Sequence, residues 1–185
     1  MAAKGILSDR MIAALAAQGC IVPARPFDGD QIQPASLDLR LGAVAYRVRA
    51  SFLPGPNTTV AERIADLKLH EIALTQGAVL ETGCVYIVPL LERLALADDV
   101  SAAANPKSST GRLDVFTRVI ADGTRGFDRI AAGYRGPLYA EISPQTFPIL
   151  VREGSRLSQI RFRLGQALRS EEHTSELLSL AYLVC

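Results

Sequence analysis

The stretch SLDLRLGAVAYRV, residues 36–48, decides the fold prediction for this chain. Leucines alternate there with the charged residues Asp38 and Arg40. Successive side chains of a β-strand point to opposite faces of a sheet, so the alternation places the leucines on one face and the charges on the other. The stretch therefore predicts a strand with one apolar face.

Similar short segments follow along the chain, separated by glycine and proline. They predict further strands within residues 77–96, 115–122, 136–143, 147–154 and 155–164, with Gly83 at a turn or bulge. Many short strands with frequent turns are typical of a β-sandwich or β-barrel. We predict a mainly β fold in one domain.

One helix is predicted before these strands. Ser8 can cap a helix that begins at Asp9, and Gly19 can end it. Residues 60–72, VAERIADLKLHEI, fit either a helical turn or an irregular connection, and the sequence leaves that choice open.

Composition excludes several classes of protein. The chain has 185 residues, 49% hydrophobic and 21% charged, with a formal net charge of +1. This charge gives no support for a nucleic-acid or membrane partner held by bulk charge. No apolar run approaches the length of about 20 residues that spans a bilayer. The three cysteines (Cys20, Cys84 and Cys185) are widely spaced, and no signal-like stretch opens the chain, so we expect a reduced, cytoplasmic location.

Histidine and cysteine are too scarce for metal-based or histidine-based hydrolysis. Zinc-dependent base deaminases use His and Cys ligands in H-x-E and P-C-x-x-C patterns, which this sequence lacks. A Ser-His-Asp triad would depend on His70, because His173 lies in the C-terminal segment discussed next. We predict that the protein binds no zinc and that His70 is a surface or half-buried residue.

The last residues, 169–185, differ in character from the rest of the chain. Their sequence, RSEEHTSELLSLAYLVC, resembles the read-through translation of a sequencing-library adapter. The alternative is a short amphipathic helix that packs Leu177, Leu178 and Leu180. We expect a non-native tail at residues 169–185 and a domain at residues 1–168.

A polar cluster interrupts the apolar sequence at residues 107–112, KSSTGR. A lysine, an arginine, serine hydroxyls and turn N–H groups can together form a cradle for phosphates. The alternative is a solvated loop that leads into the next strand.

A second candidate is Glu141, which strand alternation places with Tyr139 and Ser143, opposite an apolar face. In a partly desolvated pocket a carboxylate can act as acid and base in turn; otherwise Glu141 is an ordinary surface residue.

Four segments together resemble the dCTP deaminases of the trimeric dUTPase superfamily. They are IQPASLDLRLG, NPKSSTGRLDVF, GYRGPLYAEIS and GSRLSQIRF, which occur here in the family's order. The resemblance covers residues 5–168 and looks closest to the N-terminal half of the long bacterial form. It implies a distorted β-barrel or jelly-roll, and a homotrimer whose active sites lie between subunits.

The resemblance also implies roles for individual residues. Glu141 matches the catalytic glutamate, Ser108 would orient the attacking water, and Arg112 would fix the carboxylate across the trimer. Lys107, where the family usually has arginine, and Ser109 would bind phosphates, with Gln159 nearby. Mg²⁺ would arrive on the nucleotide, with no metal ligand on the protein.

The sugar contact is less directly implied. An aspartate that commonly precedes the aromatic residue of GYRG by three positions is Ala131 here. Asp128 is the candidate replacement, and the resemblance suggests Arg129 and Tyr134 as further substrate contacts.

The resemblance implies deamination of dCTP to dUTP and ammonia, within deoxynucleotide metabolism. The alternatives are a dUTPase or bifunctional enzyme that releases dUMP, and a non-catalytic nucleotide-binding module. We expect weak activity or none from the chain as printed, because adapter-like residues stand where relatives close over the triphosphate.

Overall fold

Antiparallel strands carry most of the fold in this computed structural model, which describes residues 5–165. The helices of that range are α1 (Asp9–Ala17), α2 (Val60–Leu67) and α3 (Ser108–Arg112). The first strands are β1 (Gly5–Ile6), β2 (Ile21–Pro23), β3 (Ile32–Gln33), β4 (Ser36–Leu39), β5 (Val44–Val48), β6 (Lys68–Ala73) and β7 (Ala78–Leu80). The remaining strands are β8 (Val85–Ala95), β9 (Val100–Pro106), β10 (Val115–Ala121), β11 (Arg129–Ile130), β12 (Arg135–Pro144), β13 (Ile149–Val151) and β14 (Ser158–Leu164). The predicted mainly β fold is confirmed.

The strands of the described range form two six-stranded sheets and a small two-stranded one. The first large sheet has the order β11-β9-β14-β4-β3, with β1 also paired to β14. The second has the order β10-β12-β8-β5-β6, with β2 also paired to β8. Strands β7 and β13 form the small sheet.

The two large sheets pack face to face around a shared apolar core. Leu37 and Ile160 of the first sheet and Val88 and Ile142 of the second are fully buried in one cluster. Alternation along each strand points these side chains inward. The layered arrangement agrees with the predicted β-barrel or jelly-roll class.

The charged face of β4 is buried as well. Arg40 and Glu92 are both fully buried, and Arg40 Nε donates to Glu92 Oε1 at 2.8 Å. Gln31 Nε2 donates to the same oxygen, and the other guanidinium nitrogens donate to the carbonyls of Arg25 and Pro26. The alternation in residues 36–48 predicted two faces correctly. The polar face is satisfied by a buried ion pair and its hydrogen bonds.

The one helix that the sequence predicted is present, and the segment left open contains a second. Helix α1 begins at Asp9 as predicted, with Ser8 as an extended N-cap whose side chain makes no capping hydrogen bond. The segment left open by the sequence divides into α2 and β6. A capping box between Thr59 and Glu62 explains why α2 forms.

The remaining predictions concern turns and the chain ends. Gly83 lies at a turn before β8 with a φ of 72°, and His70 is exposed on β6. The domain boundary at Leu168 and the predicted tail at 169–185 lie outside the described residues. Within residues 5–165 no helix is long and apolar enough to cross a membrane.

Candidate active site

Two neighbouring strands bring a carboxylate and a guanidinium together. In the antiparallel pair β10–β12, Arg118 lies directly opposite Glu141. The apolar side of β12 points into the core, so Glu141 emerges on the other side of the second sheet. Its side chain is only 2% exposed. Glu141 is therefore a buried carboxylate, which requires a charged or hydrogen-bonding partner.

Arg118 is that partner, and it contacts one oxygen only. Its Nε and Nη2 donate to Glu141 Oε1 at 3.1 and 2.5 Å. The second oxygen, Oε2, is buried and has no hydrogen-bond partner among residues 5–165. An orphaned carboxylate oxygen is costly to bury and is expected to find a donor in the functional state.

Aromatic side chains hold the guanidinium of Arg118 in place. Its carbon Cζ lies 3.5 Å from the ring centre of Phe127 and 4.6 Å from that of Phe116. Nη2 also donates to Ser51 Oγ at 2.9 Å. Stacking on aromatic faces suits the planar guanidinium.

A cavity of about 700 Å³ opens beside this pair, and we call it the first cavity. Its volume is in the range typical of small-molecule sites. It is lined by, among others, Gly111, Asp114, Phe116, Arg118, Asp128 and Gln145.

Asp128 lines the first cavity together with Arg118, and its backbone has an unusual left-handed conformation. Its φ is 61°, and its Oδ1 accepts a hydrogen bond from the backbone N–H of Val119 at 2.7 Å. Burial raises the pKa of this carboxyl above its ordinary value, and the charge of Glu141 acts in the same direction. The predicted sugar contact thus lies in the cavity next to the Arg118–Glu141 pair.

A second, more polar cavity of about 360 Å³ lies at the other end of α3. We call it the second cavity; it is lined by, among others, Ser36, Asp38, Lys107, Ser108, Gln159 and Arg161. Lys107 Nζ donates to Asp38, and Ser36 Oγ donates to Gln159 Oε1 at 3.0 Å. Arg161 Nη1 donates to Asn105 Oδ1 at 2.7 Å.

Helix α3 forms part of the wall of both cavities. It contains most of the polar cluster identified in the sequence, and Ser108, Ser109 and Arg112 are exposed on it. Buried Thr110 anchors the helix by donating to the carbonyl of Leu157 at 2.9 Å. The cluster is a short helix, whereas the sequence suggested a loop or turn.

The predicted site residues thus divide into two groups within one chain. The environment of Glu141 includes Asp128 on the first cavity, while Lys107, Ser108 and Gln159 line the second. Within the described residues the cation that contacts Glu141 is Arg118, which the sequence analysis did not identify. The roles predicted for Ser109 and Arg112 remain predictions.

Two further predicted substrate residues flank the turn before β12. Arg129 is exposed on β11. The hydroxyl of Tyr134 donates to the carbonyl of Pro137 at 2.6 Å and accepts from the N–H of Asp122 at 3.1 Å. Burial raises the pKa of Tyr134 to about 12. This hydroxyl fixes the turn, and the ring of Tyr134 packs partly buried against the apolar core.

Comparison with known proteins identifies the family. The model of the 2'-deoxycytidine 5'-triphosphate deaminase N-terminal domain matches residues 3–166. The chain belongs to the dCTP deaminase family. This confirms the resemblance carried by the four sequence segments.

Relatives in this family have two kinds of name. A dCTP deaminase of Haloarcula marismortui is 32% identical over 161 residues, which cover 85% of this chain and 79% of the relative. A protein of Tropheryma whipplei named dCTP deaminase, dUMP-forming, is 32% identical over 158 residues, which cover 85% of this chain and 76% of the relative.

A solved structure in the dCTP deaminase family is more similar. The 2'-deoxycytidine 5'-triphosphate deaminase of Agrobacterium tumefaciens has 64% sequence identity and a TM-score of 0.86. The match covers 94% of this chain and 52% of that one, so the present chain spans about half the length of the Agrobacterium protein.

Proposed function

We propose that this protein hydrolyses the exocyclic amino group of dCTP, giving dUTP and ammonia, with Glu141 as the proton shuttle. The observation that carries the proposal is the state of Glu141, a buried carboxylate with one oxygen bound by Arg118 and the other without a partner in the part of the chain that the structure describes. The names of the relatives support dCTP as the substrate.

The proposed reaction needs one group that accepts and returns protons. Glu141 takes a proton from water as the water oxygen bonds to C4 of cytosine, and delivers that proton to N3. It then takes the proton of the new C4 hydroxyl and passes it to the amino nitrogen. The C4–N bond breaks, ammonia leaves, and the C4 carbonyl forms. Glu141 ends as the carboxylate with which it began.

The proposed site is shared between subunits of a homotrimer. Within one chain Ser108 lines the second cavity, whereas Glu141 and Arg118 lie beside the first. A neighbouring subunit that presents α3 to the first cavity would supply two residues to the site. Ser108 would orient the water, and Arg112 would fix the carboxylate.

The remaining roles concern binding of the nucleotide. Lys107 and Ser109 would bind phosphates of the Mg²⁺–dCTP complex, with Gln159 close by, and Mg²⁺ belongs to the substrate. Asp128, Arg129 and Tyr134 would contact the nucleoside. The proposed chemistry uses no zinc held by the protein.

Replacement of Glu141 by glutamine tests the proposal. Ammonia and dUTP are measured with enzyme in excess over Mg²⁺–dCTP, because we expect weak activity or none from this chain. Glu141→Gln should bind dCTP with unchanged affinity by calorimetry and release no ammonia. The exposed Glu71 provides the control, and Glu71→Gln should match the wild type. Ammonia release at the wild-type rate by Glu141→Gln would contradict the proposal.

The nucleotide product distinguishes the proposed deaminase from a second candidate, a bifunctional enzyme that releases dUMP. Several relatives are named dUMP-forming, which makes release of dUMP a specific alternative. Chromatography of the same reactions separates dUTP from dUMP. We expect dUTP; dUMP with pyrophosphate would assign the chain to the bifunctional class.

A further inference from the structure

We infer that Arg118 is the positioning residue that orients Glu141 for proton transfer, an inference that rests on the proposed function. The resemblance assigned the cation on this carboxylate to Arg112. In the described range, residues 5–165, the cation that contacts this carboxylate is Arg118, opposite Glu141 on the neighbouring strand.

The hydrogen-bond geometry selects one oxygen of the carboxylate. Arginine commonly binds a carboxylate with two parallel hydrogen bonds, one to each oxygen. Arg118 instead directs Nε and Nη2 to Oε1 alone, at 3.1 and 2.5 Å. Oε2 is left as the oxygen that can accept a proton from water. The pair therefore orients the carboxylate as well as balancing its charge.

Arg118 is itself held in a defined orientation. Phe127 and Phe116 each have a ring centre within 5 Å of its Cζ, at 3.5 and 4.6 Å, and Ser51 accepts from Nη2. A carboxylate held by a fixed partner loses little freedom when the substrate binds, which is the condition for efficient proton transfer. Lysine can reproduce the charge at this position but neither the paired donors nor the planar stacking.

Arg118 acts through Glu141 because a guanidinium does not exchange protons at neutral pH. Its loss should therefore affect the chemical step more than substrate binding. We expect Arg118→Ala to lower kcat about 100-fold, because a misplacement of a reacting group by about 1 Å can slow a reaction by that factor. KM for dCTP should change by less than about threefold, because the pair is not a phosphate contact.

Chemical rescue separates positioning from a merely structural role. Guanidine hydrochloride, at concentrations that leave the melting temperature unchanged, should restore part of the kcat of Arg118→Ala. It should not restore Glu141→Gln. Arg10→Ala, which removes an exposed arginine on α1, is the control and should keep wild-type kcat. Arg118→Lys is the second variant in case Arg118→Ala fails to fold, and we expect its kcat to fall about tenfold.

The outcomes distinguish this inference from the function on which it rests. Low kcat with unchanged KM and rescue by guanidine support the positioning role. Wild-type kcat in a folded Arg118→Ala or Arg118→Lys variant, with Glu141→Gln inactive, overturns the role of Arg118 and leaves the proposed function standing. Ammonia release by Glu141→Gln at the wild-type rate overturns both.

Discussion

Lys107 donates a hydrogen bond to Asp38, a buried carboxylate 69 residues earlier in the chain. The pair lies on the second cavity with Ser108 and Gln159. Asp38 limits the directions in which the flexible lysine can point, so the ammonium is presented to the cavity from a defined position. The buried anion also lowers the net positive charge that a phosphate would meet there.

Removal of the Lys107 charge should weaken nucleotide binding. A hydrogen bond to a charged group contributes about 1.5 kcal/mol or more, so Lys107→Ala should raise KM for dCTP about tenfold or more and change kcat less. Lys107→Arg should keep or lower KM because a guanidinium can bind phosphate with two donors. Steady-state kinetics would show this, with Lys68→Ala on exposed β6 as the control. An unchanged KM in Lys107→Ala would remove Lys107 from the phosphate site.

Mixed trimers test whether neighbouring subunits share an active site. Ser108→Ala and Glu141→Gln should each be nearly inactive alone. After the two variants are denatured together and refolded at equal amounts, about a quarter of the shared sites should contain both intact residues. Activity should therefore rise toward a quarter of the wild-type value, while each variant refolded alone stays inactive. If the mixed oligomers gain no activity, Ser108 of one subunit and Glu141 of another do not form a common active site.

The buried pair Arg40–Glu92, which links the end of β4 to β8, should contribute strongly to the stability of the fold. Glu92→Ala leaves the Arg40 charge buried without its partner, which typically costs about 3–5 kcal/mol in the free energy of unfolding. Denaturant unfolding measures this cost. The exposed pair Lys68–Glu71 is the matched control, and Glu71→Ala should leave stability nearly unchanged. Equal effects of the two variants would show that burial of the Arg40–Glu92 pair does not govern its contribution.

The sequence predicted the strands because alternation and turn residues are local properties. Leu37 and Ile142 point into the core as their patterns indicated. The same patterns could not reveal that the opposite face of β4 is buried too. Burial of this face depends on contacts between Arg40, Glu92 and Gln31, which are far apart in the sequence. Glu92 gives no sign of this, because it follows apolar residues in a segment with the pattern of a half-exposed strand.

The site was predicted only in part, for a similar reason. Glu141 was found by alternation and by resemblance. Arg118 was missed because, between the buried residues Thr117 and Val119, it has the pattern of an ordinary outward-facing residue. Its contact with Glu141, 23 residues later, depends on the register of β10 with β12. The connection between those strands passes through β11 and the left-handed residue Asp128, so no short hairpin motif fixes that register.

Asp128 allows a test of the electrostatics of the first cavity by pH. Burial raises the pKa of this carboxyl, so the charged form is less favourable in the folded state than in the unfolded state. Below the ordinary value of 3.8 both states hold the proton and the cost vanishes; as pH rises through the raised value the cost develops fully. Asp128→Asn removes that cost. Asparagine also tolerates the left-handed backbone and can still accept from Val119 N–H.

Asp128→Asn should therefore melt at a higher temperature than the wild type at pH 7.5, and the difference should narrow as pH falls toward 4.5. Asp30 provides a control of opposite sign, because the hydrogen bond from Arg156 lowers the pKa of that carboxyl. Its charge contributes stability that is present above the ordinary value of 3.8 and is lost only as pH falls below it, so Asp30→Asn should melt lower than the wild type by a nearly constant amount between pH 7.5 and 4.5. Thermal melts across this pH range measure both differences. A difference for Asp128→Asn that is independent of pH would mean that the carboxyl carries no burial cost, and the cavity beside Glu141 would then be as well solvated as the protein surface.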